Sequence, residues 1–295
     1  MHLSHIEAQL DYEVVAPAHM LLNIEAARSD MQTVIKEKLA IEPATPMRLF
    51  CDEGSGNRFI RFDAKPGPLK IRYRASVQRA HAVVPTDLGE MPVSEVPDEV
   101  LHYTMPTRYC ESDLMSRCAQ QLFGDLPAGI GRVQAIVDWI HESISYEPGS
   151  SDSTTTAREV FVARAGVCRD FAHLGITFCR ALNIPARLVV GYVWFDEPPQ
   201  DFHAVLEAWL GGRWVLFDPT RMAPVDRLVR VGTGRDAKDV AFCTIFGNVR
   251  MTDKKLVVRE LQDESLQPSV APAPSGELIG IEKPMPLAQA AEATD

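Results

Sequence analysis

Apolar and polar residues alternate with a period of two along much of the first hundred residues. The clearest run covers residues 69–77, and a second covers 58–62 after a turn-rich segment at 54–57. A β-strand with one buried and one solvated face has this period. The pattern predicts an all-β, sandwich-like N-terminal domain over residues 1–105, ending in a connector with prolines at 85, 92, 97 and 106.

After Pro106 the apolar period becomes helical. One apolar stripe predicts an amphipathic helix with a single core face, formed by Val133, Ile136, Val137, Ile140 and Ile144. Thr156 and Glu159 have the spacing of a capping box for a short helix that ends near Gly166. Another helix is expected from about Cys168 to the break at Pro185.

Three strands are expected next, at 187–195, 202–210 and 213–218. Gly211-Gly212 joins the last two and is a typical two-residue hairpin loop. Helices followed by consecutive hairpin strands indicate an α+β domain, which we assign to residues 106–262. Residues 263–295 are rich in Pro, Ala and Glu without periodicity, and they are expected to form a mobile C-terminal tail.

The hairpin loop fixes the register of the two strands that it joins. With Gly211-Gly212 as the loop, His203 and Asp218 are diagonal neighbours on one face of the hairpin. A hydrogen bond from one ring N–H of His203 to the Asp218 carboxylate would fix the tautomer and leave the second ring nitrogen to face Cys168. Alone, each of these residues would usually be structural, but together they form a candidate site.

Cys168 follows a glycine break and opens a predicted helix. A thiol in that position lies near unsatisfied N–H groups, which favour the reactive thiolate. Gly166 is expected to allow the sharp turn that exposes the sulfur. Cys179 lies in mid-helix and is expected to be inert packing, whereas His173 lies well round the helix from Cys168 and is expected to be structural rather than a rival base.

Composition narrows the function classes. The net charge of −10 argues against binding to nucleic acid or to anionic membranes, and no apolar run approaches the roughly 20 residues of a membrane span. The first residues lack a basic segment followed by an apolar one, so no signal peptide is expected. The six cysteines contain no CxxC pair and are interpreted as reduced thiols of a cytoplasmic protein.

No metal and no cofactor is expected. The segment 232–237 satisfies a GxGxxA pattern, but no βαβ unit surrounds it, so dinucleotide binding is not predicted. HExxH, EF-hand and Walker sequences are absent from the chain, and its histidines are scattered.

Five segments resemble the bacterial transglutaminase-like (transglutaminase/protease-like) superfamily over roughly residues 130–250. They are Gly166–His173, Arg180–Arg187, Asp201–Ala204, Trp214–Thr220 and Gly232–Asp236. The first hundred residues resemble, more loosely, the β-rich domain that precedes this core in bacterial members. The resemblance implies a papain-like α+β core with Cys168 as nucleophile, His203 as general base and acid, and Asp218 as the orienting residue. It also implies an oxyanion hole, for which the backbone N–H of Cys168 and the side chain of Tyr146 are the candidates.

The expected function is cysteine-dependent acyl transfer on amide or peptide bonds through a thioester. Hydrolysis is favoured, as in a peptidase or amidase, because excluding water takes dedicated walls that the sequence does not identify. A true transglutaminase, which passes the acyl group to an amine, uses the same triad. The expected partner is a peptide or protein amide, with an amine acceptor in the second case. A catalytically silent binding or scaffold module is the alternative of another class.

Overall fold

A computed structural model describes residues 2–80, 82–261 and 279–281. The strands are β1 (His2–Val14), β2 (Ala18–Leu22), β3 (Gln32–Glu42), β4 (Met47–Cys51), β5 (Arg58–Ala64), β6 (Gly67–Arg79), β7 (Ala82–Val83), β8 (Ser145–Tyr146), β9 (Ala165–Gly166), β10 (Ala186–Tyr192), β11 (Phe202–Leu210), β12 (Arg213–Phe217), β13 (Val229–Gly234), β14 (Cys243–Phe246), β15 (Val249–Leu261) and β16 (Ile279–Ile281). The helices are α1 (Asp98–Leu101), α2 (Ser112–Phe123), α3 (Ile130–Ser143), α4 (Ala157–Ala163) and α5 (Cys168–Ala181). Within these ranges, no helix has both the length and the apolar character needed to cross a membrane.

The N-terminal part of the chain forms two four-stranded antiparallel sheets, β15-β1-β6-β3 and β14-β2-β5-β4. The predicted strands at 69–77 and 58–62 lie in β6 and β5, and the burial of β6 alternates along its length as the pattern required. The alternating apolar side chains pack between the sheets and bury a shared core, which includes Ile6, Leu10, Met20, Ile60 and Ile71.

The chain returns to this sandwich after the helices and the second group of strands. Strands β14 and β15, over residues 243–261, pair with β2 and β1, whereas the predicted domain boundary put these residues with the helices. Leu256 and Val258 of β15 are buried in the sandwich core. A strand-like pattern does not specify which sheet a strand joins, because that choice depends on pairing with residues far away in the chain.

The second part of the chain has a six-stranded sheet in the order β13-β10-β11-β12-β16-β7, with α5 packed on β10 and β11. The strands predicted at 187–195, 202–210 and 213–218 correspond to β10, β11 and β12. Gly211 and Gly212 form the hairpin loop, with φ of 55° and 80°. All the pairings described in this sheet are antiparallel, and the predicted α+β class is confirmed.

Residues 279–281 differ from the expected mobile tail, since they form β16 and pair with β12 and β7. The other residues of the predicted tail, from 263 onward, lie outside the described ranges. A strand of three residues is too short to show a sequence period. It is held in place by backbone hydrogen bonds to the neighbouring strands, which the sequence does not reveal.

The helices follow their predicted patterns. The predicted apolar face of α3 is buried, and α4 begins with the predicted capping box. The Thr156 N–H donates to Oε2 of Glu159 at 2.7 Å, while the Glu159 N–H donates back to Oγ1 of Thr156 at 3.4 Å. Helix α4 ends at Ala163, and α5 begins at Cys168, so the candidate nucleophile opens a helix as predicted.

Candidate active site

Cys168 is the first residue of α5 and is half-buried. The first turn of this helix is held by Asp170, whose Oδ2 accepts a hydrogen bond from the Val167 N–H at 2.9 Å and whose Oδ1 accepts one from Nε of Arg169 at 3.0 Å. A Cβ on Gly166 would lie 2.8 Å from Cβ of Asp170, while Gly166 itself is not left-handed. The glycine is therefore required by the close approach of Asp170, and not by the sharp turn that the sequence indicated.

A short parallel pair of strands brings Tyr146 to the same place. β8 pairs with β9 so that Tyr146 lies opposite Gly166, two residues before Cys168, and the Glu147 N–H donates to the Gly166 carbonyl at 2.9 Å. The Tyr146 hydroxyl lies close enough to Cys168 for the two groups to interact electrostatically. Burial raises the pKa of Tyr146, and the charge of the Cys168 thiolate raises it further, so this phenol stays a hydrogen-bond donor.

The predicted hairpin register is confirmed, since Leu210 pairs with Arg213 and Leu206 with Phe217. Nε2 of His203 lies 2.8 Å from Oδ2 of Asp218, and both side chains are buried. This bond leaves Nδ1 as the ring nitrogen available to the Cys168 thiol, which lies close enough to His203 to raise the pKa of the ring. The structure thus brings together Cys168, His203 and Asp218 in the predicted order.

Electrostatics favours a charged imidazole at this site. Burial alone would lower the pKa of His203, but the Asp218 carboxylate and the Cys168 thiolate outweigh it and raise the pKa to about 10. Burial alone would raise the pKa of Asp218, but His203 lowers it, helped by Thr220, whose N–H and hydroxyl donate to Oδ1 of Asp218 at 2.9 and 2.7 Å. The arrangement can hold an imidazolium beside a thiolate, which is the resting state of a thiol nucleophile.

Cys179 and His173, which were expected to be structural, lie in different surroundings from Cys168 and His203. Cys179 is fully buried in the middle of α5, and burial raises the pKa of its thiol to about 12. His173 is also fully buried, its ring stacks on Tyr109 with the centroids 5.2 Å apart, and Nε2 accepts a hydrogen bond from the Ala237 N–H at 3.1 Å. Burial and nearby arginines lower the pKa of His173 to about 3, so it is a neutral packing residue.

Sequence reasoning missed the part of the site that comes from the β sandwich. The Cys168 thiol lies 3.9 Å from the carbonyl of Phe202, the residue before His203. The Phe202 ring stacks on Phe242, just before β14, with the centroids 4.9 Å apart and the planes 12° apart. The position of the carbonyl beside the thiol is therefore linked to the returning segment of the sandwich.

Strand β15 contacts the same loop at two further points. The Val258 N–H donates to Oε1 of Gln200 at 2.7 Å, and Nζ of Lys254 forms an ion pair with Asp201. The sequence shows only a polar loop before β11. A polar loop does not predict contacts with residues more than fifty positions further along the chain.

The described residues include no group of three or more His, Cys, Asp or Glu side chains that could hold a metal ion. The GxGxxA pattern begins in β13, which pairs antiparallel with β10. It therefore does not stand at the strand-to-helix turn of a βαβ unit, where dinucleotide phosphates bind.

Two family profiles match the chain. The transglutaminase-like superfamily profile covers residues 116–219, which include all three candidate residues. The bacterial transglutaminase N-terminal domain profile covers residues 2–99, the first strands of the sandwich.

The chain is also similar to several individual proteins. A crystal structure from Cytophaga hutchinsonii, described as that of a proposed cysteine protease, is 36% identical, covers 95% of this chain and 98% of its own, and superimposes with a TM-score of 0.87. An uncharacterized protein of Mycobacterium leprae is 29% identical over 247 residues, which are 77% of this chain and 86% of that protein. One from Mycobacterium tuberculosis H37Rv is 34% identical over 160 residues, half of this chain and 46% of its own length. The chain belongs to the transglutaminase-like superfamily and carries the bacterial transglutaminase N-terminal domain ahead of its core.

Proposed function

We propose that this protein is a cysteine-dependent acyl-transfer enzyme that hydrolyses amide bonds of peptides or proteins. The observation that carries the proposal is the placement of Cys168 at the start of α5, within reach of a His203 ring whose Nε2 is bound to Asp218. Membership of the superfamily and the likeness to a proposed cysteine protease support an enzyme of this general kind.

In the acylation step the Cys168 thiolate attacks the amide carbonyl carbon. The carbonyl oxygen takes the negative charge, and the candidate donors for it are the N–H of Cys168 and the Tyr146 hydroxyl, which lies beside that residue. The His203 imidazolium gives its proton to the amine nitrogen, the C–N bond breaks, and a thioester remains. Asp218 keeps the ring oriented and stabilises its positive charge throughout.

Deacylation uses the same groups in reverse. Neutral His203 takes a proton from water as the water oxygen attacks the thioester carbon, and the C–S bond then breaks to restore the thiolate beside an imidazolium. An amine acceptor in place of water gives an isopeptide bond and makes the protein a transglutaminase. Hydrolysis is the proposal because water needs no binding site of its own, whereas an amine must reach the thioester ahead of it.

The test combines active-site labelling with two product assays. Wild type, Cys168→Ala and the matched control Cys118→Ala, which removes another half-buried thiol, are incubated with fluorogenic peptide amides, with and without a fluorescent primary amine. We expect peptide release in wild type and Cys118→Ala, none in Cys168→Ala, and a thioester on Cys168 in mass spectra of acid-quenched reactions.

Each other outcome has a definite meaning. Incorporation of the amine in preference to hydrolysis would establish the transglutaminase alternative. No acylation of Cys168 by any amide, together with iodoacetamide labelling no faster than at Cys118, would overturn the proposal in favour of a silent binding module.

A further inference from the structure

A cavity lies between the β sandwich and the core sheet, at the end of the β11–β12 hairpin away from His203. Its main chamber has a volume of ≈ 790 Å³, which is the size of a site for a small organic ligand. Aromatic residues from both parts of the chain contribute to its wall, namely Phe59, Tyr103, Trp209 and Trp214. Neither Cys168, His203 nor Asp218 lines it.

The main chamber adjoins a niche of ≈ 40 Å³, which we call the arginine niche. Its wall is formed by three arginines, two serines and nearby backbone, including Arg28, Arg187, Arg230, Ser29, Ser55 and Gly232. Arg187 and Ser55 line both spaces, so the niche continues into the chamber. A volume of this size exceeds the roughly 10–15 Å³ of accessible space that one water needs, and it suits a small oxyanion group.

The buried charges at the niche are not balanced. Glu207 on β11 is fully buried, and its two carboxylate oxygens bind Arg187, through Nε at 2.7 Å, and Arg230, through Nη2. Two guanidinium groups therefore share one carboxylate. Burial would raise the pKa of Glu207, but Arg230 and Arg187 outweigh it and lower the pKa, so the carboxylate stays charged and the cluster keeps one excess positive charge.

Hydrogen-bond donors at the niche are left unused. Arg187 and Arg230 are 6% and 8% exposed, yet among the described residues no acceptor contacts either terminal nitrogen of Arg187, or Nε and Nη1 of Arg230. The buried Oγ of Ser29 also has no hydrogen-bond partner in the described part of the chain. A buried hydroxyl without a partner is costly, and here it lies beside two guanidinium groups with free donors, so the niche is suited to an acceptor.

The surroundings favour an anion at the niche rather than in the main chamber. The niche lining carries three arginines and no acidic side chain. The chamber lining also carries basic residues, but it includes four acidic side chains, namely Asp52, Glu53, Glu99 and Asp239.

The niche itself is held rigidly. Arg187 lies over the Trp214 ring at 4.1 Å, which fixes the plane of its guanidinium. Asn57 donates from Nδ2 to the Thr233 carbonyl and accepts at Oδ1 from the Thr233 N–H, both at 2.9 Å, so the β4–β5 turn is fastened across β13. A planar guanidinium whose two terminal nitrogens are both free is preorganised for two oxygens of one phosphate or carboxylate.

We propose that this cavity binds a small organic ligand with an anionic phosphate or carboxylate head, which occupies the arginine niche against Arg187, Arg230 and Ser29. The apolar or aromatic body of the ligand lies in the main chamber against Trp209, Trp214 and Phe59. This site is separate from Cys168, and its existence does not depend on the proposed acyl-transfer function.

The test is calorimetry and thermal unfolding with inorganic phosphate, acetate, phenyl phosphate and benzoate, at constant ionic strength set with chloride. We expect saturable binding of at least one head group and a rise in Tm with its concentration. The aromatic form of that head group should bind several-fold more tightly, because its ring enters the main chamber.

Arg187→Met should weaken binding by about ten- to a hundredfold, since it removes the free charged donors. It leaves Glu207 paired with Arg230, so folding should survive. Arg221→Ala is the matched control, because it removes an exposed arginine paired with Asp138 far from the niche, and it should bind as wild type does. Ser29→Ala, a milder change, should weaken binding by a smaller factor and covers the case in which Arg187→Met fails to fold.

Two outcomes would overturn the proposal. One is a wild-type protein that none of the four probes stabilises or binds at fixed ionic strength. The other is binding that persists unchanged in Arg187→Met and Ser29→Ala, which would place the anion elsewhere on the surface.

Discussion

The two ends of the β11–β12 hairpin carry buried charges on the same face, but they balance them differently. At one end a single imidazole meets a single carboxylate, His203 and Asp218, at 2.8 Å. About 13 Å along the strand, four residues on, Glu207 meets two arginines. The His203–Asp218 pair is balanced by itself, whereas the Glu207 cluster retains one surplus positive charge beside a cavity.

This difference separates two kinds of site. A balanced buried pair does not need an outside charge, so its function depends on a third group at its edge, which here is the Cys168 thiol. An unbalanced cluster is incomplete by itself, and an anion from outside would stabilise it. We therefore expect changes at the first end to affect the rate of reaction, and changes at the second to affect stability and ligand binding.

The largest expected effect is on turnover in His203→Ala. Without the imidazole, no group at the site can protonate the leaving amine or activate water, so kcat for amide hydrolysis should fall by about 10⁴-fold, roughly 5.4 kcal/mol in the barrier. Phosphate binding should stay within about twofold, because Arg187 and Glu207 are untouched. Steady-state kinetics and calorimetry on the same preparation measure both. A loss of both properties together would show that the two ends are one site.

Glu207→Gln should have the next largest effect, which is a loss of folding stability. The amide is nearly isosteric but leaves Arg187 and Arg230 buried without a counter-charge, which should lower the free energy of unfolding by about 3–5 kcal/mol in urea titrations. Added phosphate should recover part of that loss. The matched control is Glu7→Gln, which breaks an exposed pair with Arg74 and should cost no more than about 1 kcal/mol. Equal losses in the two variants would contradict the charge imbalance at Glu207.

The pH dependence of thiol labelling sharpens the contrast at the first end. Because the pKa of His203 is raised to about 10, the ring is protonated at pH 6–9 and can stabilise the thiolate of Cys168. Iodoacetamide should then label Cys168 rapidly at pH 6–7 in wild type, but in His203→Ala only as the pH nears the free-thiol range of about 8.5. Mass spectrometry locates the label. Identical profiles in the two proteins would rule out the ion pair.

The same pKa carries a stability consequence with a definite sign. A histidine whose pKa is about 10 in the folded state and about 6.5 in the unfolded state stabilises the fold fully below pH 6.5. That contribution declines as the pH rises from 6.5 and is gone above about pH 10. The stability difference between wild type and His203→Ala should therefore shrink over this window.

The first end of the hairpin was predictable from sequence because its geometry is local. A two-residue Gly211-Gly212 loop fixes the register, and the register alone places His203 beside Asp218. The helix start at Cys168 was also visible in the apolar pattern. The second end was not predictable in the same way. Glu207 shares the face of His203, and a carboxylate in an apolar strand requires partners, but Arg187 and Arg230 reach it only through the pairing of β10 with its neighbours β11 and β13.

The contribution of the sandwich to the active site was hidden for the same reason. Strands β14 and β15 come more than forty residues after β11 begins, and their pairing with β2 and β1 depends on the whole sandwich. Only that pairing brings Lys254 to Asp201 and Phe242 to Phe202. The returning part of the sandwich therefore supports the segment that leads into His203, which a linear division of the chain into domains does not reveal.

The smallest expected effect tests that support. Lys254→Met removes the ion pair with Asp201, which is part-exposed on both sides, so the free energy of unfolding should fall by only about 0.2–1 kcal/mol. If the ion pair positions the chain segment that precedes His203, kcat should fall a few-fold with KM unchanged. The labelling of Cys168 at low pH should also weaken. Lys254→Arg should restore both, because it keeps the charge. A Lys254→Met protein with wild-type kcat and labelling would limit the sandwich to a structural role and leave the hairpin's first end dependent on the core alone.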